Sequence, residues 1–269
     1  MLKDITLGQY FPGDSLVHRL DPRTKILCVI LYIAALFSAV GLVTYAIVFA
    51  VLVTSVAVSR IGVKALLRGM KPVVVILIFT GLLNVFYVQT GQELFHLGIL
   101  HVTTGGLEKA FFMVVRILML ISGTFLLTYT TSPIALTDAL ERLLSPLKVV
   151  KVPVHDLAMM MSIALRFIPT LIEETDKIMS AQKARGADFD GGNLIEKAQA
   201  MVPLMVPLFV SAFRRADELA TAMECRCYHG GEGRTRLNQL HFQAVDWVVL
   251  ALFIVLLVLV NALKLRSNL

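Results

Sequence analysis

The sequence predicts an all-α integral membrane protein, with about five transmembrane helices plus a cytoplasmic domain of long amphipathic helices. Three observations predict it. Hydrophobic residues make up 57% of the 269-residue chain, against a usual ~45–50%, and the mean hydropathy is +0.77. Long charge-free runs alternate with basic clusters. The middle of the chain is charged but still repeats apolar residues at helical spacing. A chain this apolar cannot hide its surface as one soluble domain. Its net charge of +6 is read as basic flanks of membrane spans rather than as a nucleic-acid surface. Three cysteines do not make a disulfide framework. Cys225 and Cys227 lack the second ligand pair that zinc needs. The class is a polytopic inner membrane protein.

Residues 26–59 contain no charged side chain. At ~1.5 Å per residue they would make roughly 50 Å of helix, too long for one crossing of a ~30 Å core. Two spans turning near Gly41 fit better. Arg19, Arg23 and Lys25 precede this run, and Arg60, Lys64, Arg68 and Lys71 follow it. A double crossing puts both clusters on the cytoplasmic side. A third span follows Lys71, and residues 91–106 read as an exterior loop rich in glycine. The fourth span runs from about Lys109 to Thr130, and the last from about Ala244 to Leu263. Residues 1–24 have charges and two prolines but no apolar core segment, so no signal peptide is expected. This count places the N-terminus inside and the C-terminus outside. Arg116 falls near the exterior interface, where a support role with its side chain snorkelling to headgroups is expected.

Residues 138–236 hold 13 of the 19 acids and 13 of the 25 bases. Leu157, Met161, Ala164, Ile168, Leu171, Thr175 and Ile178 fall on one helical stripe, with Asp156, Arg166, Glu173 and Lys177 off it. A second long helix is expected from about Leu194 to Met223, with Met201, Met205 and Phe209 in its stripe and kinks at Pro203 and Pro207. A shorter amphipathic piece opens at Thr131-Ser132-Pro133, a helix-start signal.

No catalytic motif is present: no HExxH, GxSxG, P-loop or GxGxxG. Glu173 and Glu174 resemble half of a membrane-protease carboxylate pair. With a histidine they give a competing reading, an intramembrane hydrolase. The six histidines are scattered, without an i, i+4 pair, so no metal site is expected. A permease holding its own substrate would need polar groups converging at membrane depth. The spans offer few, among them Asn84, Gln89 and Arg116.

The two long helices end alike. One ends Lys183-Ala184-Arg185-Gly186, the other Glu224-Cys225-Arg226-Cys227. Each sets an arginine between small residues, 41 positions apart. Helix capping accounts for either end taken alone. The pairing suggests two plugs, since small neighbours admit the arginine to a narrow groove and its guanidinium can fork onto a carboxylate.

Three strings carry a family resemblance: SLVHRLDPRTKIL at 15–27, LRFIPTLIEETDKIMSAQKARGADF at 165–189 and RRADELATAMECRCY at 214–228. In them the chain resembles the T component, the transmembrane scaffold of energy-coupling factor (ECF) vitamin and metal transporters. The resemblance covers essentially the whole chain. It implies a non-enzymatic subunit with a membrane domain at 1–131, a coupling-helix domain at 132–240 and a final span at 241–269. It also implies that Ala184-Arg185-Gly186 and Cys225-Arg226-Cys227 each dock in a groove of one ATP-binding-cassette ATPase. The second motif departs from the commoner Ala-Arg-Gly pattern but keeps the arginine. The implied partners are two such ATPases, a substrate-binding membrane S component and the lipid bilayer, with no nucleic acid. No cofactor is implied for this chain, because ATP and magnesium belong to the ATPases. The implied location is the prokaryotic cell (inner) membrane, multi-pass.

Overall fold

The computed structural model describes residues 10–87, 92–97, 100–187, 189, 191, 193–230 and 240–267. They fall into two compact units, one of Gly8–Ala139 with Leu240–Leu269 and one within Leu140–Gln239.

The first unit is a helix bundle. Ser15 caps the single turn α1 (Leu16–Arg19), and Asp21 caps α2 (Pro22–Ser38), with Pro22 in the first turn where its missing N–H costs nothing. The chain then turns at Gly41, whose φ of +81° suits a residue without Cβ, into α3 (Leu42–Ser59). A short helix α4 (Val63–Met70) leads through one 3-10 turn into α5 (Val74–Tyr87). Two strands, β1 (Glu93–Leu97) and β2 (Leu100–Thr103), pair antiparallel with His96 opposite His101. The segment read from sequence as an exterior loop is thus a small hairpin. Its Phe95 and Val102 are residue types that favour strands. Thr103 then caps α6 (Thr104–Thr130) by accepting from the Gly106 N–H.

The core of this unit is built by Tyr32, Leu36, Val48, Leu52, Met119 and Val260 from α2, α3, α6 and the final helix α10 (Ala244–Ser267). The Tyr32 hydroxyl donates to the Met119 carbonyl at 3.1 Å. Outward faces are equally apolar. Val75, Ile78 and Phe79 on α5, and Trp247, Val248 and Val255 on α10, are all exposed. A helix apolar all round, with its outer face bare, is suited to lipid rather than water.

Among the described residues, five helical runs are long and apolar enough to cross a membrane: Leu42–Ser59, Val63–Tyr87, Thr104–Thr130, Val154–Ala184 and Ala244–Arg266. The count matches the sequence reading, but one member differs. The expected first span, α2, has 17 residues, about 26 Å of helix, and falls just short in length. Val154–Ala184 reaches the length and composition instead, as the least apolar of the five.

A buried polar cluster closes one end of the bundle. Asp21 receives a fork from Arg23, Nε to Oδ1 at 3.0 Å and Nη2 to Oδ2 at 2.8 Å. Asp246 accepts the backbone N–H of Asp21 at 2.9 Å and of Gln243 at 2.8 Å. Lys25 Nζ donates to the carbonyls of His18 and Thr130. Arg23 also lies 4.0 Å over the Phe242 ring. These bonds tie α2, α6 and α10 together.

Arg116 corrects one expectation. Its side chain turns inward instead of snorkelling. Nε donates to the Tyr45 hydroxyl at 2.7 Å and Nη2 to the Ala39 carbonyl at 3.4 Å, and the guanidinium lies 5.6 Å from the Tyr45 ring centre. It thereby pins the α2–α3 turn to α6. Arg116→Lys keeps a charge but cannot make both bonds, so thermal unfolding of the purified variant should show a loss of about 1–2 kcal/mol. An unchanged midpoint would mean that the guanidinium fork holds nothing.

The second unit continues from α7 (Pro133–Leu143), a helix opened by Ser132, whose hydroxyl accepts the Ala135 N–H at 3.3 Å. It contains the long helices α8 (Val154–Ala184) and α9 (Leu194–Cys225). Asn193 and Glu196 form a reciprocal capping box at the start of α9. Both helices run unbroken past internal prolines, Pro169 in α8 and Pro203 and Pro207 in α9.

Candidate coupling site at two helix ends

Helices α8 and α9 form an antiparallel pair. Glu174 of α8 accepts from the Ser211 hydroxyl and lies 3.1 Å from Arg215 Nη2, both on α9. Two turns further on, Gln182 Nε2 donates to the Pro203 carbonyl at 3.5 Å. Position rises on one helix as it falls on the other, so Cys225 at the end of α9 comes level with Met160 near the start of α8. The two C-termini therefore lie at opposite ends of the pair, about 36 Å apart at ~1.5 Å per residue.

Both C-termini have the same local geometry. Arg185 and Arg226 are the C-cap residues, with φ/ψ of −88°/5° and −92°/16°. The N–H of Ala187 bonds to the Gln182 carbonyl and that of Gly186 to the Lys183 carbonyl, each at 3.0 Å. At the other end Tyr228 N–H bonds to the Met223 carbonyl at 3.0 Å and Cys227 N–H to Glu224 at 2.9 Å. Each is a complete Schellman cap, the 6→1 and 5→2 pair. It requires a left-handed residue immediately after the arginine: Gly186 has φ +91° and Cys227 φ +56°. Both arginine side chains are exposed, and among the described residues neither has an ion-pair partner. Ala184 and Cys225, the last helical residues, are exposed beside them.

The cap explains why glycine follows the first arginine and what cysteine costs after the second. A side chain in the left-handed region costs roughly 1–2 kcal/mol. Cys227→Gly should therefore raise the unfolding midpoint, by about 2–4 °C per kcal/mol gained in a chain of this size. Gly186→Ala should lower it by a similar amount. A lowered midpoint in Cys227→Gly would overturn this account of the second cap.

An apolar face runs along the same helices. Met201, Met205, Phe209 and Phe213 of α9, and Leu157, Met160 and Met161 of α8, are exposed. The lower part of the α8 stripe, Ile168, Leu171 and Ile178, is half-buried. Sequence reasoning had these stripes but missed the Ser211–Glu174–Arg215 clasp. The available signal was the i, i+4 spacing of Ser211 and Arg215, which sets them on one face.

The cobalt transport protein family profile (CbiQ) matches residues 13–237. The energy-coupling factor transporter transmembrane protein EcfT of Ruminiclostridium cellulolyticum is 52% identical over 255 residues, 95% of each chain. That of Bacillus subtilis is 49% identical over 264 residues, 98% of this chain and 100% of the other. That of Thermosediminibacter oceani is 54% identical over 245 residues, covering 91% and 92%. The chain belongs to the EcfT family of ECF transporter transmembrane components. It is a transporter membrane subunit.

EcfT membership leaves the hydrolase reading without support, and the geometry gives the reason. Glu174 is held by Ser211 and Arg215, while Glu173 points to the exposed side. His155 Nδ1 lies 3.0 Å from Glu141 Oε1, away from both. Among the described residues no group of three His, Cys, Asp or Glu side chains could hold a metal ion. The permease reading fares no better, although Asn84 and Arg116 line one cavity with Glu108 and Lys109, because both side chains are engaged within the chain. Asn84 gives its amide protons to the Thr80 carbonyl and Met113 Sδ, Arg116 is tied to Tyr45, and Gln89 lies outside the described residues.

Proposed function

We propose that this EcfT-family chain couples two ATP-binding-cassette ATPases to a substrate-binding membrane S component. One observation carries the reading: two identically capped, exposed arginines at opposite ends of one antiparallel helix pair. A separation of about 36 Å suits one ATPase at each end rather than both motifs on one subunit. Arg185, with Ala184 and Gly186 beside it, enters a groove of the first. Arg226, between Cys225 and Cys227, enters the second. ATP and magnesium are bound by those ATPases and not by this chain.

The mechanism is mechanical. When ATP draws the two ATPases together, the docked helix ends follow. The Glu174 clasp makes α8 and α9 move as one body, so displacement at the ends becomes a tilt of the pair. The exposed Met201, Met205, Phe209 and Phe213 face carries the S component, which tilts or is released with it. In this arrangement α2, α3, α5, α6 and α10 cross the inner membrane, with the N-terminus in the cytoplasm.

Affinity purification of the tagged chain from its native membrane, followed by mass spectrometry, tests the assembly. Two ATPase chains and at least one small membrane protein should be recovered with it. A chain that purifies alone from transport-competent cells would overturn the reading.

A further inference from the structure

We propose that the helix bundle holds one phospholipid, its acyl chain in an apolar slot among α2, α3, α6 and α10 and its phosphate between Arg19 and Arg60. The slot is a cavity of about 400 Å³ walled by side chains such as Val29, Val51, Leu126, Leu252 and Phe253. That volume lies within the ~300–1,000 Å³ range of ligand clefts. Most polar groups that reach its wall are already engaged within the chain. The Tyr32 hydroxyl donates to the Met119 carbonyl, and Lys25 Nζ to those of His18 and Thr130. Thr54 and Ser55 hydroxyls donate to the Val51 carbonyl, and that of Thr130 to Leu126. Beyond one Lys25 proton and the Cys28 thiol the wall offers a guest no free donor, which suits an alkyl chain better than a polar ligand.

A second cavity of about 420 Å³ adjoins it, and the two share Leu16 and Val58 as lining residues. This one is charged, lined by Arg19, Arg60 and Asp14. Arg19 ends α1, and Arg60 caps α3 with φ +57°. Both are exposed, and neither has an ion-pair partner among the described residues. Two guanidinium groups against one carboxylate leave a single positive charge, which complements one phosphodiester. Guanidinium is also the side chain whose planar fork fits phosphate oxygens.

Depth supports the same occupant. Along α3 the slot reaches from Val58 down to Val51, so its floor lies about 13 Å below Arg60 by helix rise. Half of a ~30 Å hydrocarbon core is about 15 Å. A phosphate at the arginines and a chain in the slot therefore place the molecule as a lipid of one leaflet. Val58 and Leu16, at the junction, are 44% and 66% exposed, leaving the slot open sideways toward the bilayer. This proposal is independent of the ATPase reading, because none of its residues belongs to α8 or α9.

The test is native mass spectrometry of the full chain in detergent, titrated with dioleoylphosphatidylglycerol. The wild type should retain one lipid. Arg19→Gln with Arg60→Gln removes the charge at exposed positions and should weaken retention about fivefold per arginine, about twenty-five-fold together. Val58→Trp leaves both arginines and fills the junction, and it should weaken retention independently. Unfolding midpoints measured without lipid should match the wild type in both variants. Inorganic phosphate should bind far more weakly than the lipid. Unchanged retention in both variants, or phosphate binding as tightly as the lipid, would overturn the proposal.

Discussion

Alanine at both Arg185 and Arg226 should strip the ATPases from the purified complex and abolish uptake, while the chain keeps its fold. An arginine buried at an interface leaves its carboxylate partner unpaired when truncated, and such losses run to ~2–5 kcal/mol. At ~1.4 kcal/mol per tenfold, each end loses roughly 30- to 3,000-fold in affinity. The single variants should be milder. With one end docked, the tether keeps the local concentration of the other high. The helix pair itself should survive, because the caps at both ends are made by backbone groups and not by the guanidinium. The unfolding midpoint of the double variant should therefore match the wild type. Lysine at both positions should rescue incompletely, since it restores the charge without the planar fork. Full ATPase recovery and full uptake in the double alanine variant would reduce both arginines to ordinary helix ends.

The features readable from sequence were those written within a few residues of one another. The charge-free stretch with Gly41 at its centre yields two helices meeting where expected, because a missing charge and a flexible residue act locally. Ser132 before Pro133 opens a helix for the same reason. The ends at Arg185 and Arg226 could be located to within a few residues, since apolar periodicity stops there and small residues follow. What escaped depends on which faces meet. Glu174 read as a half of a carboxylate pair with Glu173, but adjacent helical residues point about 100° apart, and Glu174 faces Ser211 and Arg215 instead. Arg116 read as a snorkelling cation because its depth could be counted, whereas the Tyr45 hydroxyl beside it could not be foreseen. The hairpin at 93–103 was hidden by its neighbours, glycine-rich segments that carry no helical period. The contact between Asp21 and Asp246 spans 225 positions, and no local pattern announces it.

That long-range contact carries the largest expected effect on stability. Asp246 is 2% exposed and sits in the first turn of α10, where a carboxylate meets free N–H groups and the positive end of the helix dipole. One oxygen accepts from Asp21 at the start of α2, the other from Gln243 at the start of α10. Hydrogen bonds to a charged group contribute about 1.5–3 kcal/mol each. Asp246→Ala removes both and leaves the buried Asp21 N–H and the part-buried Gln243 N–H unpaired, so the loss should be about 3–5 kcal/mol. At about 2–4 °C per kcal/mol the unfolding midpoint falls by roughly 6–20 °C. Asp246→Asn keeps one acceptor but turns an amide against a donor N–H, and it should fall between alanine and wild type. The comparison with the arginine variant separates two kinds of failure. The arginine pair should lose partners at an unchanged midpoint, whereas Asp246→Ala should lose the midpoint first and its partners only as a consequence. If Asp246→Ala unfolds within about 1 kcal/mol of the wild type, the cluster does not join α2 to α10, and the contact between those helices rests on apolar packing alone.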